Sequence, residues 1–324
     1  MPDFLGTILW PIKWVIEAIL VGFHTLLSAL GLDPTAGLTW VLSIVGLVLV
    51  VRAALIPIFV RQIKSQRRML EVAPQLKKIQ DKYKGKKDQF SREAMSRETM
   101  ALYKNTGTNP LASCLPLLIQ MPIFFSLFSV LQEANKGQQG VGLLAESLSK
   151  NFGDASLFGI APLHQSIQTA AAEDPVQVVV IVIAVTMVVI MTASQFITQL
   201  QIMSKNQSAE MKASPMYRQQ RILLYILPLV FAFSGFAFPI GVMFYWLTSN
   251  IWTMVQQFLV IRNMPTPGSE AALAREARLA RKAQRRGITV TEFSDEPAVE
   301  EIKKPQRQQP VGKNRAKKQS GNKK

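Results

Sequence analysis

Three apolar stretches of the chain are each long enough to cross a bilayer, and a fourth is twice as long. A span takes about 20 residues, because about 30 Å of hydrocarbon is crossed at 1.5 Å per residue. Residues 38–60 meet this with one charge, Arg52, and residues 111–131 and 176–199 meet it with none. Residues 222–261 form one uncharged run, roughly 60 Å as a single helix. Phe238-Pro239-Ile240-Gly241 interrupts that run. The pattern predicts two spans there, 222–237 with Pro228 inside it and 242–261, joined by a tight turn.

Residues 8–30 are also long enough to span, but their pattern differs. Lys13, Glu17 and His24 fall within about 40° of each other at 100° per residue. A polar stripe on an apolar helix is the mark of a helix lying in the interface. Two charges at midplane would cost roughly 2.5–3.5 kcal/mol each. The stripe predicts an interfacial amphipathic helix, with a sixth span as the alternative.

Charge then orients the chain. Lys and Arg number 37 against 21 acidic residues, and 48% of the residues are hydrophobic, the balance of a membrane protein whose charges sit in loops. Loop 61–110 holds 13 basic and 5 acidic residues, and loop 132–175 holds 2 and 5. Loop 200–221 holds 4 basic residues against Glu210, and the tail from 262 holds 16 against 7. The basic loops lie on the cytoplasmic side, which predicts an outside N-terminus, five spans and a cytoplasmic C-terminus. Residues 1–7 carry no Lys or Arg, so they do not read as the basic start of a cleaved signal, and residue 4 onward is expected to be retained.

The organisation is then an N-terminal helix and linker over 1–37, a core over 38–262, and a basic tail over 263–324. Within the core, Pro74 suits the first turn of a helix, and Leu76, Ile79 and Tyr83 recur behind it at helical spacing. Lys84-Gly85-Lys86-Lys87 breaks the pattern, and Phe90, Ala94, Met95, Ala101 and Leu102 follow before Gly107. This predicts a cytoplasmic helical hairpin over 74–106. In the tail, 271–286 is compatible with a basic helix, and 303–324 is a polycation too polar to bury a core. It suits a polyanion, ribosomal RNA or anionic lipid, or serves only to solubilise. The outer loop 132–175 carries no feature that assigns it a role.

Candidate chemistry changes the picture in one place. The chain has no phosphate loop, no dinucleotide fingerprint, no HExxH and no nucleophile elbow, and Cys114 is its only cysteine. Neither an enzyme nor a bound cofactor or metal is expected. Arg52, by contrast, stands eight residues from the cytoplasmic end of its span, about 12 Å deep. A charge at that depth usually faces a cavity or pathway. Gln120, Gln195, Ser249 and Asn250 add polar side chains in other spans, and no acidic residue lies within any of the five. The set predicts a positive, wet cavity suited to transient contact with a polar polypeptide. A small-solute transporter is the alternative function, but no inverted repeat with broken helices is visible.

Several segments together are recognisable. Glu98-Thr99-Met100-Ala101-Leu102-Tyr103-Lys104, Asn109-Pro110-Leu111 and the run Cys114 to Phe124 resemble the YidC-type membrane protein insertase family. So do Arg52 with Pro57, Phe238-Pro239-Ile240-Gly241, and Tyr245-Trp246 with Ser249-Asn250 and Gln256-Gln257. The match covers about 8–265, in the Gram-positive-like form without a large periplasmic domain. The resemblance implies an all-α, five-span insertase and chaperone of the bacterial inner membrane, acting alone or with the Sec translocon. It implies a hydrophilic groove lined by Arg52, Gln120, Gln195, Trp246, Ser249 and Asn250. The expected partners are nascent membrane proteins, the lipid bilayer, the ribosome and the Sec translocon, with rRNA contact through the tail and no small-molecule substrate.

Overall fold

The computed structural model describes residues 4–86, 88–108, 115–208, 212 and 215–286. It is almost wholly helical. α1 (Phe4–Ala29) leads into α2 (Gly37–Lys82), α3 (Gln89–Thr106) and α4 (Leu115–Asn135). A folded connection follows, with α5 (Glu146–Asp154), β1 (Ser156–Leu157), β2 (Ala161–Pro162) and α6 (Ile167–Ala172). α7 (Val178–Lys205), α8 (Pro215–Gly235), α9 (Ile240–Asn263) and α10 (Glu270–Arg285) complete the chain. Residues 4–275 belong to one unit.

The apolar runs fall on helices. Stretch 38–60 lies in α2 and 242–261 in α9, while α7 takes up 178–199 of the run 176–199 and α8 takes up 222–235 of the run 222–237. Residues 115–131 lie in α4, and 111–114 fall outside the described residues. Among the described residues, three stretches are long and apolar enough to cross a membrane, Gly6–Ala29, Gly37–Ser65 and Val178–Lys205. On α7 the two faces separate cleanly. Val180, Ala184, Met187 and Met191 are buried, while Val178, Val182, Val185 and Val189 are exposed. Both stripes repeat every three or four residues, and both are apolar, as a helix between protein and lipid requires.

The bundle packs α9 against α7 and α2, α8 against α7, and α1 against both α2 and α4. Its core runs through Leu20, Trp40, Ile44, Leu47, Leu127, Leu131, Ile240 and Met243. Close backbone approach supports two of these contacts. A Cβ on Gly46 would meet the Phe23 ring at 2.5 Å, and one on Gly37 would meet the Ser156 carbonyl at 2.5 Å.

Two expectations are corrected. The polar stripe of α1 faces the protein, not water. Lys13, Glu17 and His24 are all buried, while Ile8, Trp10, Trp14, Val15 and Leu26 are exposed. The Lys13 ammonium contacts Glu133 Oε1 on α4 at 2.8 Å. Glu17 accepts from the backbone N–H of Val141 at 2.9 Å and of Gly142 at 2.7 Å. His24 stacks on Trp40 at 4.0 Å, and its Nε2 lies 2.9 Å from the Pro34 carbonyl. Helical periodicity places polar groups on one side, but only their partners decide where that side points.

The second correction concerns Pro74. It does not open a helix; α2 runs through Pro57 and Pro74 to Lys82. At 46 residues the helix is roughly 70 Å long, more than twice the hydrocarbon thickness. Its end bonds to α3: Lys82 and the Tyr83 hydroxyl both donate to Glu98. Asp88 caps α3 by accepting from the Ser91 N–H at 2.8 Å, and Gly107 closes it in the left-handed region at φ 62°. In the tail, Glu270–Arg285 is helical, the stretch that the sequence marks as compatible with a basic helix. The tail's remainder, 287–324, falls outside the described residues.

The connection between α4 and α7 is a compact cap. Leu144, Phe152, Ala155, Leu157, Ala161 and Leu163 are buried in the same core as the helix ends. The first N–H groups of a helix have no partner of their own, and Pro239 at the start of α9 offers no side-chain cap. The cap supplies one. Ile240 N–H donates to the Gln165 carbonyl at 2.8 Å, and Gly241 N–H to the Leu163 carbonyl at 2.9 Å. A Cβ at Gly241 would stand 3.2 Å from the Phe152 ring and 3.4 Å from that carbonyl, which accounts for glycine there.

Candidate functional site

A small cavity inside the helices is lined by α1, α2, α4 and α9. Val48, Val51 and Arg52 of α2 share one face, as do Gln120, Ile123 and Leu127 of α4, and Ile16 and Tyr245 close the cavity from α1 and α9. Arg52 lies near the middle of the apolar stretch Gly37–Ser65. It is half-buried, and among the described residues it forms no ion pair. Gln120 Nε2 donates to the Tyr245 hydroxyl at 3.1 Å. Pro57, one turn beyond Arg52, has no N–H for the Ala53 carbonyl, so a further polar oxygen is left without its helical donor close by.

The chemistry of this cluster is donation. A guanidinium offers five N–H donors and a fixed positive charge, and the phenol that accepts from Gln120 keeps its own O–H to give. With only apolar neighbours, such donors suit carboxylates and backbone carbonyls that have left bulk water. Among the described residues, no acidic side chain lines the cavity.

The sequence-predicted residues divide into two groups. Arg52 and Gln120 meet at the cavity, and Ser249 is buried one turn along α9 from Tyr245. Trp246 sits instead among Phe124, Phe231 and Phe238, at ring separations of 5.4, 5.0 and 5.1 Å. Asn250 Nδ2 donates to the Met191 carbonyl at 3.3 Å and so bonds α9 to α7. Gln195 is half-buried on α7 and does not line the cavity. The other lining residues are additions, and Tyr245 is the polar one among them. Tyr245 stands four positions before Ser249, on the same helical face, a spacing visible in the sequence. Ile16 lies between Lys13 and Glu17, and nothing in its own pattern marks it.

Long helices with apolar outer faces, enclosing a half-buried arginine with no counterion among the described residues and a glutamine–tyrosine pair, define an α-helical membrane protein with a polar pocket. The chain belongs to the family described as 60Kd inner membrane protein, which it matches over residues 31–267. A relative from Tropheryma whipplei (strain Twist) is 44% identical over 319 residues, covering 97% of each chain. One from Bifidobacterium longum is 37% identical over 97% of this chain and 96% of its own. One from Streptomyces avermitilis is 44% identical over 86% of this chain and 63% of its own. All three are named membrane protein insertase YidC. The family and the apolar helices together make this a membrane protein of bacterial type.

Proposed function

We propose that this protein inserts newly made proteins into the bacterial inner membrane and assists their folding there. The Arg52–Gln120–Tyr245 cavity carries the reading. A polar segment crossing hydrocarbon leaves backbone groups unsatisfied at several kcal/mol each. Donors placed within the helices satisfy part of that need along the way, and no bond is made or broken. The relatives' shared name supports the same role.

Five spans, a cytoplasmic C-terminus and an outside N-terminus fit the loop charges. With that orientation the α2–α3 hairpin faces newly made chains, the ribosome and the Sec translocon. The polycation 303–324 then suits ribosomal RNA. The deciding experiment uses purified full-length protein in liposomes, given a short single-span substrate without Sec. Protease-protected insertion above that of empty liposomes is expected, and equal insertion in the two would refute the role.

A further inference from the structure

The turn between β1 and β2 holds Phe158, Gly159 and Ile160. Gly159 is left-handed at φ 75°, and so is Phe158 at φ 53°, the one non-glycine with positive φ among the described residues. That conformation crowds the Cβ of a bulky L-residue against its own backbone, and glycine takes it freely. Yet the Phe158 side chain gains little from the protein, because it is 74% exposed, and Ile160 is 55% exposed. Leu157 and Ala161, on either side, are buried in the cap. The hairpin is thus a fixed mount that holds two apolar side chains outward.

The place of the mount identifies what they meet. The hairpin backbone rests on Gly37, where an added Cβ would lie 2.5 Å from the Ser156 carbonyl and 2.7 Å from the Leu157 nitrogen. Gly37 opens both α2 and its apolar stretch, and Leu38 and Leu42 just beyond it are exposed. Residues 155–163 carry no charge. The exposed pair therefore stands beside the lipid-facing side of α2, at the level where that helix enters the membrane.

We propose that Phe158 and Ile160 are a membrane wedge, seated at the acyl–headgroup boundary of the leaflet on the cap's side. The wedge fixes the height of the cap against the lipid, beyond the insertase role itself. Apolar side chains such as Phe and Leu on interfacial elements bury at the headgroup–acyl boundary. Two side chains fall far short of the area a stable protein interface buries, so lipid is the occupant rather than a partner chain.

The test uses full-length protein with Cys114→Ser, reconstituted in phosphatidylglycerol–phosphatidylcholine vesicles and spin-labelled at Phe158→Cys. Val182→Cys on the exposed face of α7 is the lipid reference, and Ser147→Cys on exposed α5 is the aqueous one. Collisions with oxygen relative to a water-soluble nickel chelate should be severalfold higher at 158 than at 147, and close to those at 182. Nickel access equal to that at 147 puts the turn in water, and low access to both reagents puts it against protein. Either result overturns the wedge. Phe158→Gly relieves the backbone and removes the anchor, so the protein folds while a label at Ile160→Cys moves toward the aqueous value. A label at 160 that stays in lipid in that variant also overturns the proposal.

Discussion

Lys13 Nζ and Glu133 Oε1 stand 2.8 Å apart and join the N-terminal helix to the end of α4, with Ser129 Oγ donating to the same oxygen at 2.8 Å. Their side chains are 10% and 29% exposed, so either charge alone would be left largely without water. Lys13→Met or Glu133→Leu singly should destabilise the protein by about 3 kcal/mol. The double variant should cost less than either single change. Thermal unfolding in detergent across the four proteins measures this, and a double variant worse than both singles would show that the pair is not the source.

Glu17 is held by backbone amides rather than by a counterion. Hydrogen bonds to a charged group contribute roughly 1.5–3 kcal/mol, so Glu17→Ala should destabilise by about that amount, and Glu17→Gln by less. The effect should appear first as faster hydrogen exchange at residues 138–145, before the bundle itself unfolds. Uniform loss of protection throughout the chain would instead mark Glu17 as part of the global core.

Gly37 and Gly22 make a matched pair. An added Cβ strikes the Ser156 backbone at 37 and meets nothing within 4 Å at 22. Gly37→Ala should destabilise by roughly 1–3 kcal/mol through overpacking. Gly22→Ala, inside α1, should stabilise by about 0.5–1 kcal/mol. Melting curves of the two variants should therefore shift in opposite directions.

Arg52 should matter through its charge. Arg52→Lys keeps a cation but loses the planar fork, and should retain most activity. Arg52→Ala should lower insertion of a substrate with an acidic leading segment about tenfold, the equivalent of roughly 1.4 kcal/mol, with a neutral segment affected less. Arg52→Glu should fall below Ala by repulsion. Insertion at matched protein levels measures the series, and equal activity of Ala and Glu on the acidic substrate would rule out a role for the charge.

The α2–α3 pairing should depend on pH at both ends of the scale. The Lys82 ammonium and then the Tyr83 hydroxyl hold the Glu98 carboxyl below its ordinary value. Its stabilising effect is present above the usual carboxylate pKa and is lost as pH falls through the lowered one. Lys82 is raised in turn, chiefly by its hydrogen bond to Glu98, so its effect is lost only as pH rises through a value above the normal lysine range. Exchange-rate-corrected protection of residues 83–98 should be flat near neutrality and fall at both extremes. Glu98→Gln should abolish the acid step.

The long apolar helices are legible because a helix facing lipid and protein is apolar on every side, and uncharged runs of that length have few other uses. Which side of each faces inward is not legible. On α7, Val180 and Val182 differ in exposure but not in chemistry. The inward turn of the α1 stripe escapes for a related reason: Glu133 and the amides of Val141 and Gly142 are about 120 residues away. Arg52 and Gln120 stand out as expensive polar residues in apolar runs. Tyr245 does not, because an aromatic there reads equally well as core, and its hydroxyl matters only once Gln120 reaches it. Trp246 and Asn250 lie near the cavity in sequence, but the helical turn carries them to other neighbours. Pro74 misleads because a proline exposed on a helix can be accommodated by the loss of one hydrogen bond.

The carbonyls of Leu163 and Gln165 that receive the first N–H groups of α9 precede that helix in the chain. Synthesis delivers residues 136–175 before α9, so the last apolar helix emerges after its docking place has been made. Without that folded cap the first N–H groups of α9 lose these two acceptors and must turn to water or headgroups. The last apolar helix is thus closed at its start by carbonyls of a segment made before it.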